Sequence, residues 1–60
     1  MSELLTIEEV AHRLRVGKRT VERFVAQGDI ASVKVGRRRL VAETELERYV
    51  RVAQKRGRVA

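Results

Sequence analysis

A mainly α domain with one small β-hairpin is the fold class this sequence predicts, in the order helix, turn, helix, two-stranded wing, helix. Three observations carry that reading. Two apolar stripes at helical spacing, Ile7-Val10-Ala11-Leu14 and Val21-Phe24-Val25, are separated by the breaking run Arg15-Val16-Gly17. A period-2 stretch punctuated by Gly36 follows, and a third amphipathic segment has acids at its start and bases near its end. Two helices joined by about three residues, then a hairpin and a helix, is the pattern of a winged helix-turn-helix.

Each element has a local cause. Thr6-Ile7-Glu8-Glu9 has capping-box spacing, so the first helix is expected at about 6–14, with Leu4 and Leu5 stapled onto its apolar stripe. Gly17 is an acceptable N-cap for a second helix over residues 18–27, and Gly28 fits the left-handed position that ends it. Val33 and Val35 alternate with Ser32 and Lys34, which places the first wing strand in residues 30–35, the tip at Gly36-Arg37-Arg38 and the return strand through Leu40-Val41. Glu43, Thr44, Glu45 and Glu47 open a third helix whose core stripe is Leu46, Tyr49, Val50 and Ala53. The domain is expected to span 1–53, with 54–60 a basic, flexible tail interrupted by Gly57.

Sixty residues make one small domain, which buries about 60% of its unfolded surface and needs nearly every apolar side chain for its core. There is no cysteine and one histidine, so disulfides and cysteine-containing zinc sites are excluded and no metal or cofactor is expected. Ser2 and Ser32 are the only serines, and His12 has no neighbouring ligand or nucleophile, so no catalytic set is assembled and the expectation is a non-enzyme. No apolar run approaches the roughly 18 residues of a membrane span, nor does a basic stretch lead into an apolar one at the N-terminus. A cytoplasmic protein with neither membrane nor small-molecule partner is expected.

The formal charge of +6 is unevenly placed. Residues 1–33 hold five bases and five acids, whereas residues 34–60 hold nine bases and three acids. Even in the balanced half, Lys18, Arg19 and Arg23 cluster on the second helix. Its basic face suits a DNA major groove, where arginine bonds bidentately to guanine, and an arginine-bearing loop suits the narrow minor groove. Arg19 and Arg23, four apart, are the expected base readers, while Lys18 and Thr20 at the helix start suit phosphate. Glu22 would be repelled by phosphate unless it accepts from a cytosine amino group, so it either sharpens specificity or points into solvent. On the wing, Lys34, Gly36, Arg37, Arg38 and Arg39 are the candidates. Neighbours on a strand alternate faces, so at least one of the three arginines turns away from DNA. With Phe24 needed in the core and Tyr49 on the inner stripe, base stacking as in single-strand or RNA binding has little support.

Five segments then resemble a known family: Leu5-Thr6-Ile7-Glu8-Glu9-Val10-Ala11, Arg19-Thr20-Val21-Glu22-Arg23, Gly28-Asp29-Ile30, Val33-Lys34-Val35-Gly36-Arg37-Arg38 and Glu45-Leu46-Glu47-Arg48-Tyr49. Over about residues 4–50 the chain resembles the excisionases, a family of MerR-like winged-helix DNA-binding domains. Residues 20–25 and 36–40 look particularly like the lambdoid excisionases. The resemblance implies Arg19 and Arg23 in the major groove and Arg37 to Arg39 at the wing contact. It departs from the family pattern at Arg15, where a turn glycine is usual, at Gly17, where serine is usual, and at Arg39, where tryptophan is frequent.

What the resemblance implies is a recombination directionality factor: a phage or mobile-element protein of a bacterial host that binds duplex DNA beside an attachment site, bends it and directs a separate integrase toward excision. Integrase and neighbouring copies of the same chain are the implied partners, with Lys55, Arg56 and Arg58 as candidate phosphate or partner contacts. The related transcription regulators carry a long dimerisation helix or effector domain, for which a chain of this length leaves no room. A small MerR-like transcriptional regulator and a protein-interaction adaptor are the alternative expectations.

Overall fold

Thr6 ends a strand and caps a helix in the computed structural model of this chain, which describes residues 3–57. The elements are β1 (Leu4–Thr6), α1 (Ile7–Leu14), α2 (Lys18–Ala26), β2 (Val33–Val35), β3 (Arg38–Ala42) and α3 (Glu43–Arg56). They form a winged helix-turn-helix. At the start of α1 the predicted capping box is complete: the Glu9 amide donates to Thr6 Oγ1 at 3.1 Å and the Thr6 amide donates to Glu9 Oε1 at 2.8 Å.

Helices α1 and α2 end in the same motif with different residues. Arg15 and Val16 donate to the carbonyls of His12 and Ala11, and Gly28 and Asp29 donate to those of Val25 and Phe24, the paired bonds of a Schellman cap. Gly28 holds its left-handed position at φ 84°, as expected, but in the first motif the position is filled by Arg15 at φ 58°. The Arg15-Val16-Gly17 turn is thus tight and strained at a residue with a side chain.

The sheet has three strands where two were expected. Leu4 and Leu5 form a strand of their own, β1, which pairs antiparallel with β3 from Leu4 opposite Ala42 to Thr6 opposite Leu40. β2 pairs with the other edge of β3, from Val33 opposite Leu40 to Val35 opposite Arg38. The first wing strand also starts later than expected. Ile30 is drawn into the core, and its amide donates to the Phe24 carbonyl at 3.4 Å, so the chain becomes extended only at Val33. The tip is the two-residue turn Gly36-Arg37, with Arg38 already in β3. Gly36 sits at φ 62°, as the first central position of a two-residue hairpin turn requires.

Leu5, Val10, Val21, Phe24, Ile30, Val41 and Leu46 close the core between the sheet's inner face and the three helices. Each such side chain contributes about 1.5–3 kcal/mol when fully buried. Phe24 and Tyr49 pack with ring centroids 5.3 Å apart, joining α2 to α3. Beyond its expected end, α3 continues through Gln54, Lys55 and Arg56 to a left-handed Gly57, so the first part of the expected tail is the helix's last turn, and the remainder, 58–60, lies outside the described residues. Lys55 and Arg56 there complement the negative end of the helix dipole. Among the described residues no helix is long and apolar enough to cross a membrane.

Candidate nucleic-acid interface

Successive residues of α2 turn by about 100°, which sorts its polar side chains into two exposed groups. Arg19 and Arg23 point directly away from the core formed by Val21 and Phe24. Lys18 and Glu22 lie on the flank nearest the wing, and Thr20 is half-buried on the other flank. The helix begins at Gly17, with no side-chain cap and no acid in its first turn; Lys18 and Arg19 occupy that turn. Positive charge therefore accumulates where the helix dipole is itself positive.

The wing continues this surface. A concavity of about 310 Å³ has Lys18 and Glu22 of α2 on one side and Arg37, Arg38 and Arg39 of the wing on the other, with Glu8 of α1 at its margin. Sequence reasoning placed these groups on separate elements; the fold makes them two walls of one groove. Arg19 and Arg23 lie outside the groove, on the outward face of α2 beside it.

The three wing arginines differ in setting. Arg37 is in the turn and exposed. Arg38 and Arg39 follow strand alternation onto opposite faces of the sheet. Arg39 shares its face with paired Lys34 and with buried Val41, and its guanidinium Nη1 donates to Ser32 Oγ at 3.0 Å. Arg38 shares the outer face with Val33, Val35 and Leu40. Its charge reaches α1: the Thr6 amide hydrogen bond holds the Glu9 carboxyl below its ordinary pKa, with smaller help from Arg13 and Arg38. Ser32 is the residue that sequence reasoning missed here, because nothing local to it signals a partner on a later strand.

The other candidates are elsewhere. Lys55 and Arg56 are exposed on the last turn of α3, and Arg56 borders a separate concavity with Gly28, Asp29 and Tyr49. Tyr49 is half-buried, and burial raises its hydroxyl pKa, with the Asp29 charge adding to the shift. His12 is exposed on α1. Arg58 lies outside the described residues. Among the described residues, no three metal-ligating side chains come together.

Fold and surface together define the class: a winged helix-turn-helix whose second helix and hairpin present one cationic groove. The chain belongs to the helix-turn-helix domain family, which matches residues 4–51. It is similar to a "Probable excisionase" of Saccharopolyspora erythraea, 41% identical over 46 residues, which is 77% of this chain and 47% of that protein. It is also similar to a "Putative DNA-binding protein" found in two strains of Mycobacterium tuberculosis, 50% identical over 36 residues, or 60% of this chain and 46% of the relative. The chain thus spans about half the length of the curated relatives it matches. No solved structure gives a significant match.

Proposed function

We propose that this protein binds double-stranded DNA sequence-specifically through α2 and the wing, and that it acts as an excisionase. The observation that carries the reading is the shared groove, in which Lys18 of α2 faces Arg37 and Arg38 of the wing. An α-helix fills a major groove and a thin hairpin enters a minor groove, so two adjacent cationic projections of these shapes can straddle one phosphate strand. In this reading Arg19 and Arg23 reach base edges, and Lys18, Thr20 and the uncapped α2 start take phosphate. Gly36, Arg37 and Arg38 enter the minor groove, with Lys34 at the wing's flank.

The likeness to a relative named as an excisionase supports a role in recombination. The protein then binds beside an attachment site, alongside further copies of itself, bends the DNA and biases a separate phage integrase toward excision in the bacterial cytoplasm. It supplies no catalytic group, and the integrase performs the strand chemistry. Lys55 and Arg56, away from the groove, are available to a partner. The second reading, a small transcriptional regulator, draws on the relatives named only as DNA-binding proteins. It uses the same contacts at a promoter.

Affinity for a duplex should fall by about 0.9 log units per log unit of salt for each phosphate neutralised. Three charged contacts outside the base readers, from Lys18, Arg37 and Arg38, give a slope of about −3. A salt-independent affinity, or equal affinity for single strands, would contradict duplex recognition. An excision assay with the neighbouring integrase separates the two roles: an excisionase raises excised product, a regulator leaves it unchanged.

A further inference from the structure

We infer that Arg39 is a positioning residue, a strut that fixes the wing against α2, and that it does not neutralise a DNA phosphate. The inference rests on the duplex-binding reading above. Arg39 lies on the sheet face that carries Leu5 and Val41 into the core. From there it borders a cavity of about 400 Å³ whose other walls include Glu22, Val25 and Ala26 of α2. Its guanidinium is bonded to Ser32.

That bond closes a continuous path from helix to wing. The Phe24 carbonyl of α2 accepts from Asp29 at 2.9 Å and from Ile30 at 3.4 Å, and Ile30 is 1% exposed, so the loop after α2 is pinned to the helix. Ser32 follows two residues later, and Arg39 ties β3 to it across the root of the hairpin. Without this tie the wing's angle to the recognition helix is set by the pairing of β3 with β1 and by buried Val41 alone, while the β2 side of the hairpin is joined to α2 only through the loop. Glu22, which lines both the cavity and the groove, places a carboxylate on the same side as Arg39. An acid beside that cavity disfavours a phosphate there, which fits a wall that packs against α2 better than one that meets the DNA backbone. Arg37 and Arg38 line the groove with Glu22 but neither borders the cavity against Val25 and Ala26 nor bonds to Ser32: one is in the turn and the other on the opposite sheet face.

The test is duplex binding by anisotropy over a salt series, with R39A, R39Q, S32A, the S32A/R39A double variant and R37Q as comparator. A strut predicts that R39A and S32A each weaken binding by about three- to tenfold, the worth of one net hydrogen bond, with the wild-type salt slope retained. The double variant should be no weaker than either single one, and R39Q, which keeps a donor without the charge, should approach wild type. R37Q should flatten the slope by about 0.9. The inference is overturned if R39Q flattens the slope as R37Q does, or if the S32A and R39A losses add. Failure of the wild type to bind any duplex would refute the DNA reading instead. The same cycle in thermal unfolding would then decide the strut: coupling between positions 32 and 39 supports it, and additivity overturns it.

Discussion

The starts of α1 and α2 are built on opposite electrostatic plans. α1 has a reciprocal capping box and two acids in its first turn, and α3 likewise opens with Glu43 and Glu45. Those charges suit a helix dipole, and Glu43 also receives Arg13 from the end of α1 at 2.9 Å. α2 has a glycine cap with no side-chain bond, and two bases where acids belong. A cation in the first turn costs about 0.3–1 kcal/mol, so α2 is less stable alone than its neighbours. The amides that α1 satisfies with its own side chains are left at the start of α2 without a side-chain cap. The difference lies within α2 itself, whose Val21 and Phe24 hold the core while its start is the end proposed to meet a partner.

That contrast can be broken from either side. The largest effect should come from Arg23→Ala, which removes a proposed base reader on α2: duplex affinity should fall by about 1–3 kcal/mol in a filter-binding or anisotropy titration, while the melting temperature stays put. Thr6→Ala should do the reverse. Losing the cap of α1 should cost about 1 kcal/mol in denaturant unfolding and leave the salt slope of binding unchanged. Arg15→Gly should stabilise by roughly 0.5–1 kcal/mol, because it puts the permissive residue in the left-handed position that Gly28 already occupies at the end of α2.

Gly17→Asp makes α2 resemble α1. The backbone at position 17 is extended, at φ −74° and ψ 157°, and a side chain there meets nothing within 4 Å. The substitution should raise stability by about 0.5 kcal/mol in a thermal melt and weaken duplex binding, a trade that a purely structural α2 would not show. The smallest effect is in acid. Glu9 has a carboxyl held below its ordinary pKa in the folded chain, so its contribution is complete above the unfolded value and is lost as pH falls through the folded one. Glu9→Gln should flatten the acid limb of a pH–stability curve.

Much of this was legible in the chain because the signals are local. The helical stripes, the Thr6 box and the glycines at 28 and 36 each depend on residues a few positions away. Leu5 does pack on the α1 stripe as a staple would, but its strand is not legible, because three residues show no periodicity and the partner, β3, lies in the other half of the chain. Ile30 looked like strand because apolar alternation does not reveal that the Phe24 carbonyl claims its amide. In the candidate site, alternation announced that one wing arginine turns away, but only the fold brings Ser32 to Arg39. Gly57 was read as an interruption when it is the cap that lets α3 run to Arg56.

The most direct test of the central claim is an amide chemical-shift titration of the protein with a mixed-sequence duplex and with an A·T-rich one. Shifts should concentrate at residues 17–23 and 36–38, stronger at the wing for the A·T-rich duplex, with α1 little changed. Shifts centred on residues 48–56, or none with either duplex, would contradict it.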